Sequence, residues 1–149
     1  MLSSLAYFAT VLRKDFTDYC NKRLSDMNLS QGQLYFILYI GKHPDCSPKE
    51  LAEGLHMDMG HTARALVKLE QGGFLSQKQD LKDRRAHVLR LTEAGEAVFH
   101  LSHDLFSQWD DETMASFTPE EREQLLSLLQ KLIRLEGGVP CVRNHSQPH

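Results

Sequence analysis

Leu5, Phe8, Leu12, Phe16, Tyr19 and Leu24 recur mostly at three- and four-residue steps with charged residues between them, the spacing of one helix face. Asp26, Asn28 and Ser30 end that helix. Ser30-Gln31-Gly32-Gln33 has the form of a capping box, in which hydroxyl and side-chain amide satisfy each other's orphan backbone groups. The apolar run from Leu34 to Ile40 follows it. Its aromatic residues leave a strand open, but the cap and the distance to Pro44 select a helix, buried nearly all round.

Ser47-Pro48-Lys49-Glu50 is a second helix start, with a serine cap, proline in the first turn and glutamate three residues on. Leu51, Ala52 and Leu55 face inward on this short helix. After a turn at His56-Met57, Asp58 caps a helix carrying Ala63, Leu66, Val67 and Leu69, which Gly72-Gly73 stops. Two helices joined so closely form a helix-turn-helix. Phe74 to Gln79 and Ala86 to Leu91 read as short strands flanking the polar turn Asp80-Leu81-Lys82-Asp83-Arg84-Arg85, a charged hairpin of the kind that forms a wing. Thr92 caps a helix with Val98, Phe99, Leu101, Leu105, Phe106 and Trp109. Thr118-Pro119-Glu120-Glu121 opens a last helix through Leu125, Leu126, Leu128, Leu129, Leu132, Ile133 and Leu135, which Gly137-Gly138 ends. Val139 to His149 reads as a loosely ordered tail.

The fold class is therefore mainly α with a small β-hairpin wing. Residues 1–30 form an N-terminal dimerisation helix, 31–92 a winged helix-turn-helix, 93–136 C-terminal dimerisation helices, and 137–149 a tail, in one domain overall. Seven large aliphatic residues within Leu125–Leu135 exceed what one stripe against a small domain requires. Together with the first and fifth helices they predict a helical module that pairs two chains. The alternative is a monomer that packs these helices on its own core.

Composition adds exclusions. The chain of 149 residues suits one compact domain. Its longest apolar run is far short of the roughly 20 residues a membrane helix needs. Arg13 and Lys14 lie inside a periodic pattern rather than ahead of an apolar stretch, so neither a secretory leader nor a membrane span is expected. Cys20, Cys46 and Cys141 are odd in number and widely spaced, which suits reduced thiols in the cytoplasm. The net charge of −3 hides a strong asymmetry. Residues 56–92 carry +3 and residues 93–136 carry −7. A basic middle on an acidic chain is the footprint of a polyanion-binding surface, or else a solvated basic face.

Five segments together resemble the MarR family of bacterial transcriptional regulators: Leu51-Ala52-x-x-Leu55, Asp58-Met59-Gly60-His61-Thr62-Ala63-Arg64, Leu69-Glu70-x-x-Gly73-Phe74-Leu75, Asp80-x-x-Asp83-Arg84-Arg85 and Leu91-Thr92-x-x-Gly95. With the flanking helices the resemblance spans about residues 1–136. It implies a cytoplasmic homodimer that binds a pseudo-palindromic double-stranded operator, often released by a small molecule, a metal or an oxidant.

The residues agree with that implication. The helix after Asp58 suits the major groove, with Met59, Gly60, His61, Ala63 and Arg64 in the half nearest the bases. Arg64 is placed either for a bidentate guanine pair or for a surface ion pair, and the helix context favours guanine. Ala63 or Met59 suits a thymine methyl, His61 a base or phosphate, and Gly60 a close backbone approach. Arg85 stands where the family places a wing-tip arginine, and narrow minor grooves attract such a residue. Asp83 is expected to orient the arginines, with Lys82 and Arg84 on phosphates and Lys68 and Lys78 as weaker phosphate candidates. The reading is a sequence-specific regulator, a repressor released by a small effector.

Other classes rank lower. His100 and His103 are three apart on one helix, and with His43, Cys20 or an acid they supply a possible zinc set, yet no dense histidine cluster follows the wing. Cys141, His145 and His149 sit in a tail unsuited to hold a metal geometry, so no metal and no cofactor is assigned. Cys20 departs from the position of peroxide-sensing cysteines in the family, and Cys46 beside a helix start is a candidate for a lowered pKa. Tyr7, Phe8, Phe36, Tyr39, Phe99 and Phe106 are candidates for an apolar effector crevice, or simply core. No nucleophile–base pair or phosphate loop suggests an enzyme, and no catalytic residue is assigned. A metal- or redox-sensing regulator of the same fold, or a winged-helix protein-interaction module without DNA binding, is the alternative.

Overall fold

The structure, a computed structural model, describes residues 3–79, 82, 87–136 and 139–142, with backbone alone over 134–136 and 139–142. Along these residues run α1 (Leu5–Leu24), a 3-10 turn (Ser25–Met27), α2 (Gln31–Lys42), α3 (Pro48–Leu55) and α4 (Met59–Gln71). The hairpin β1 (Leu75–Gln79) and β2 (His87–Leu91) follows, then α5 (Glu93–Thr113), α6 (Pro119–Gln130), β3 (Ile133–Glu136) and β4 (Val139–Val142).

The core is built around α2. Leu34 and every residue from Phe36 to Ile40 are buried, and α2 meets α1, α3, α4, α5 and β2. That is the all-round burial the apolar run predicts. Fully burying each such side chain contributes roughly 1.5–3 kcal/mol relative to leaving it in water. The helix begins where expected, with the Ser30 N–H donating to Gln33 Oε1 at 3.0 Å.

Only the C-terminal half of α1 joins this core, through Cys20 and Leu24. Phe16 stacks on Phe106 of α5, and the Trp109 indole N–H donates to Asp15 Oδ2 at 2.8 Å. Leu5, Phe8, Val11 and Leu12 at the other end are exposed in the single chain.

α4 ends in the motif its two glycines predict. The Phe74 N–H donates to Leu69 O at 2.9 Å and the Gly73 N–H to Glu70 O at 3.0 Å, with Gly73 at φ +82°. Only a residue without Cβ adopts that angle without strain. The chain then enters β1, which pairs antiparallel with β2 from Leu75↔Leu91 to Gln79↔His87. At the return, the Thr92 N–H donates to Phe74 O at 3.1 Å and Thr92 Oγ1 accepts the Gly95 N–H at 3.2 Å. The Leu-Thr-x-x-Gly segment thus locks the start of α5 onto the α4–β1 corner.

One expectation fails at the C-terminus. The last helix stops at Gln130 instead of continuing through Leu135. Residues 133–136 pair antiparallel with 139–142, the first part of the expected loose tail, whose remainder, 143–149, lies outside the described residues. The reason is local. An apolar–polar alternation, Ile133-Arg134-Leu135-Glu136, before Gly137-Gly138 is a hairpin signal in the sequence that outweighs the remaining helical spacing.

Candidate nucleic-acid interface

α3 and α4 are positioned by their own caps. Ser47 Oγ accepts the Glu50 N–H at 3.0 Å, and Asp58 Oδ1 accepts the His61 N–H at 2.9 Å. His56 takes a left-handed conformation at the end of α3 (φ 54°), which turns the chain into α4 within a few residues. Thr62, Leu66 and Leu69 bury the inner face of α4, and the Thr62 hydroxyl donates to Asp58 O at 2.9 Å. With that stripe inside, Met59, Gly60, His61, Ala63, Arg64 and Lys68 all lie exposed on the outer side. The structure therefore brings the six α4 positions named from sequence onto one solvent-facing surface.

The start of α4 stabilises its own capping carboxylate. The Asp58 carboxyl is held below the ordinary carboxylate range, chiefly by the His61 N–H, with the Gly60 N–H and the Arg64 and His61 charges adding to it. It stays ionised as a cap at neutral pH. Because its folded-state pKa lies below the unfolded one, its stabilisation holds above the ordinary carboxylate range and is lost as pH falls through the lowered value. Beside it, α4 and the N-terminus of α2 enclose a groove of about 380 Å³ between Gln33 and Phe36 on one wall and His61, Arg64 and Lys68 on the other. Gln33 and Phe36 are absent from the sequence-derived set, because their nearness to Arg64 is a tertiary fact with no local signal.

On the wing, Lys78 is exposed on β1 opposite Val88, and Lys82 is exposed at the turn. Asp83, Arg84 and Arg85 lie outside the described residues. The described part of the hairpin also has a contact that its sequence did not suggest. Asp45, between α2 and α3, grips Arg90 of β2 with both carboxylate oxygens, one to Nε and one to Nη2 at 2.9 Å.

The sensor candidates fare differently. Cys46 does not have a lowered pKa: burial pushes its thiol up to about 11, and the Glu50 charge adds to the shift. Its place beside a helix start is offset by its enclosure. Cys20 is likewise pushed up to about 11 by burial. His100 lies 3.9 Å from Glu96, and His103 Nδ1 lies 3.1 Å from Phe99 O. Among the described residues no three His, Cys, Asp or Glu side chains are grouped to hold a metal. Phe36 and Tyr39 are core residues, Phe99 and Phe106 pack partly against that core, and Tyr7 and Phe8 are exposed, so the six aromatic candidates do not share one environment. No helix among the described residues is long and apolar enough to cross a membrane.

A capped helix-turn-helix, a following antiparallel hairpin and flanking helices from both chain ends define the winged helix-turn-helix class. Comparison with known proteins narrows it: the chain belongs to the MarR family, whose model matches residues 29–87. The HTH-type transcriptional regulator BilQ of Clostridium symbiosum is 42% identical over 143 residues, 96% of this chain and 99% of that protein. BilQ of Clostridioides difficile is 34% identical over 136 residues, 91% of this chain and 92% of that one. Among solved structures, the reduced form of MarR from E. coli superposes with a TM-score of 0.80 at 25% identity, covering 88% of this chain and 97% of that one. A MarR variant from E. coli complexed with operator DNA gives a TM-score of 0.73 at 25% identity, covering 85% and 91%.

Proposed function

We propose that this chain is a cytoplasmic transcriptional regulator that binds a pseudo-palindromic DNA operator as a homodimer and represses until a small effector releases it. The exposed outer face of α4 carries this reading, because it gathers Arg64, His61 and Lys68 in a stretch of charge +3 on an acidic chain. In that reading α4 enters the major groove, and Met59, Gly60, His61, Ala63 and Arg64 meet base edges. Lys68, Lys82 and Arg84 contact phosphates, Arg85 enters the minor groove, and Asp83 orients the wing arginines. The solved complex of a MarR variant with operator DNA supports the same use of this fold.

Dimerisation is supported by unpartnered apolar surface. Leu5, Phe8 and Leu12 of α1 and Leu125, Leu126 and Leu128 of α6 are all exposed in the single chain. A free monomer seldom leaves this many large apolar side chains of two helices in water. Light scattering is expected to give twice the chain mass, and a single-chain mass would remove the paired geometry. An effector acts here by changing the spacing of the two α4 helices, which dimeric readers hold about one DNA turn apart.

Arg85→Ala is expected to weaken operator binding by about 1–3 kcal/mol while the melting temperature and dimer mass stay unchanged. Fluorescence anisotropy with a duplex selected from a random library checks it. Unchanged affinity would take Arg85 out of the interface.

A further inference from the structure

Two backbone hydrogen bonds and one two-pronged ion pair tie the α2–α3 loop to the second strand of the hairpin. The Asp45 N–H donates to Leu89 O at 3.2 Å, the Leu89 N–H donates to Cys46 O at 2.9 Å, and the Asp45 carboxylate holds the Arg90 guanidinium in a two-pronged grip. Asp45 reaches this position in a left-handed backbone conformation, φ 65°, which is uncommon for a residue other than glycine and best tolerated by Asp and Asn. The Arg90 guanidinium holds the Asp45 carboxyl below its ordinary range, and Lys78, on the neighbouring strand, adds to the effect. Both side chains are about half exposed, at 45% and 53%. An exposed ion pair adds little to global stability, so the effect of this one is expected in local geometry rather than in the melting temperature. The backbone bonds fix the strand's distance from the loop. The two-pronged pair fixes its direction, because a planar guanidinium meets a carboxylate along both oxygens in one orientation.

We propose that the Asp45–Arg90 pair is a positioning device that aims the wing. It sets the angle at which the hairpin leaves the helix-turn-helix, so that its tip and α4 reach the same duplex together. Neither residue needs to touch DNA for this role. The inference rests on the reading that the wing contacts DNA, and it adds two residues, one of them acidic, to those that determine operator affinity. Asp45 makes the idea testable by sign. Removing a negative charge near a polyanion tightens binding if charge alone matters, whereas a lost aiming contact weakens it.

The test is an anisotropy titration of the full-length dimer against its selected duplex, over a range of salt concentrations. It compares the parent with Asp45→Asn, Arg90→Lys, their double variant, Arg90→Gln and Arg85→Ala. Asparagine tolerates the left-handed angle, so Asp45→Asn changes the ion pair and little else. Lysine keeps the charge at 90 but loses the planar fork. The expected result is about three- to tenfold weaker binding for each single variant. The double variant is expected to be no weaker than either single one by more than about twofold, since both break the same contact. The slope of log affinity against log salt is expected to stay at the parent value, because no phosphate contact is lost. Equal or tighter binding by Asp45→Asn, alongside weaker binding by Arg85→Ala, would overturn the aiming role and leave the wing reading intact. Unchanged binding by both would overturn the wing reading, and the aiming role with it. A flatter salt slope for Arg90→Gln, which removes the charge that lysine keeps, would overturn the proposal by making Arg90 a direct phosphate contact.

Discussion

Gly95→Ala is expected to destabilise the fold by about 3 kcal/mol, the upper end of what overpacking a tight site costs. A Cβ built on Gly95 would lie 2.0 Å from the Phe74 carbonyl oxygen and 3.1 Å from Leu91 Cδ2. The first of these is backbone, and that backbone is already engaged. Phe74 O accepts the Thr92 N–H, and Phe74 N–H closes the end of α4. Relief would therefore push α5 away from the corner where α4 hands over to the wing. Gly32→Ala is the internal control, since its Cβ would meet nothing nearer than Ser30 Oγ at 3.9 Å. It sits in a helix, where alanine is preferred, so it is expected to be neutral or to stabilise by up to about 1 kcal/mol. Urea denaturation of the two variants measures the contrast. A Gly95→Ala protein as stable as the parent would show that the α5 start is not locked as described.

The second large effect falls on recognition. Arg64→Ala is expected to weaken operator binding by about 1–3 kcal/mol, roughly fivefold to more than a hundredfold, and to relax preference at one base pair of each half-site. Folding should change by no more than about 0.5 kcal/mol, because Arg64 is exposed and the inner face of α4 is held by Thr62, Leu66 and Leu69. Selection of bound duplexes by the variant, beside a thermal melt, reads both quantities. Weakening that is uniform across sequences would make Arg64 a phosphate contact. No weakening would leave it as a partner of Asp58 on the protein surface.

Local chemistry was legible in the sequence, and tertiary contacts were not. The caps at Ser47, Asp58, Thr92 and Thr118 each satisfy backbone groups within three residues of themselves, so reading along the chain finds them. The glycine stop at Gly72-Gly73 is equally local, and the seven-residue apolar run of α2 announces its own central position. The outward set on α4 followed from the first half of a recognition helix. The apolar spacing placed Ala63 and Val67 with Leu66 and Leu69, whereas Ala63 and Val67 lie exposed because Thr62 takes the inner face instead. In contrast, the Asp45–Arg90 pair joins residues 45 apart in the chain, and the close approach of Gly95 to Phe74 spans a whole hairpin. Nothing near either residue signals its partner. Cys46 was misread for the same reason: its neighbours in sequence suggested an activated thiol, and its neighbours in space bury it. At the end of α6, two local patterns competed, and the alternation of residues 133–136 prevailed as a strand over a leucine-rich helical spacing, so the helix ends at Gln130.

The central claim is that two copies of α4 and its wing lie along one duplex and neutralise its phosphates. Titrating the selected operator at a series of salt concentrations tests this most directly. About 6–10 phosphate contacts per dimer predict a steep linear fall of log affinity with log salt, near −0.9 per contact, with two chains bound per site. A plot that stays nearly flat, or saturation at one chain per duplex, would contradict the account.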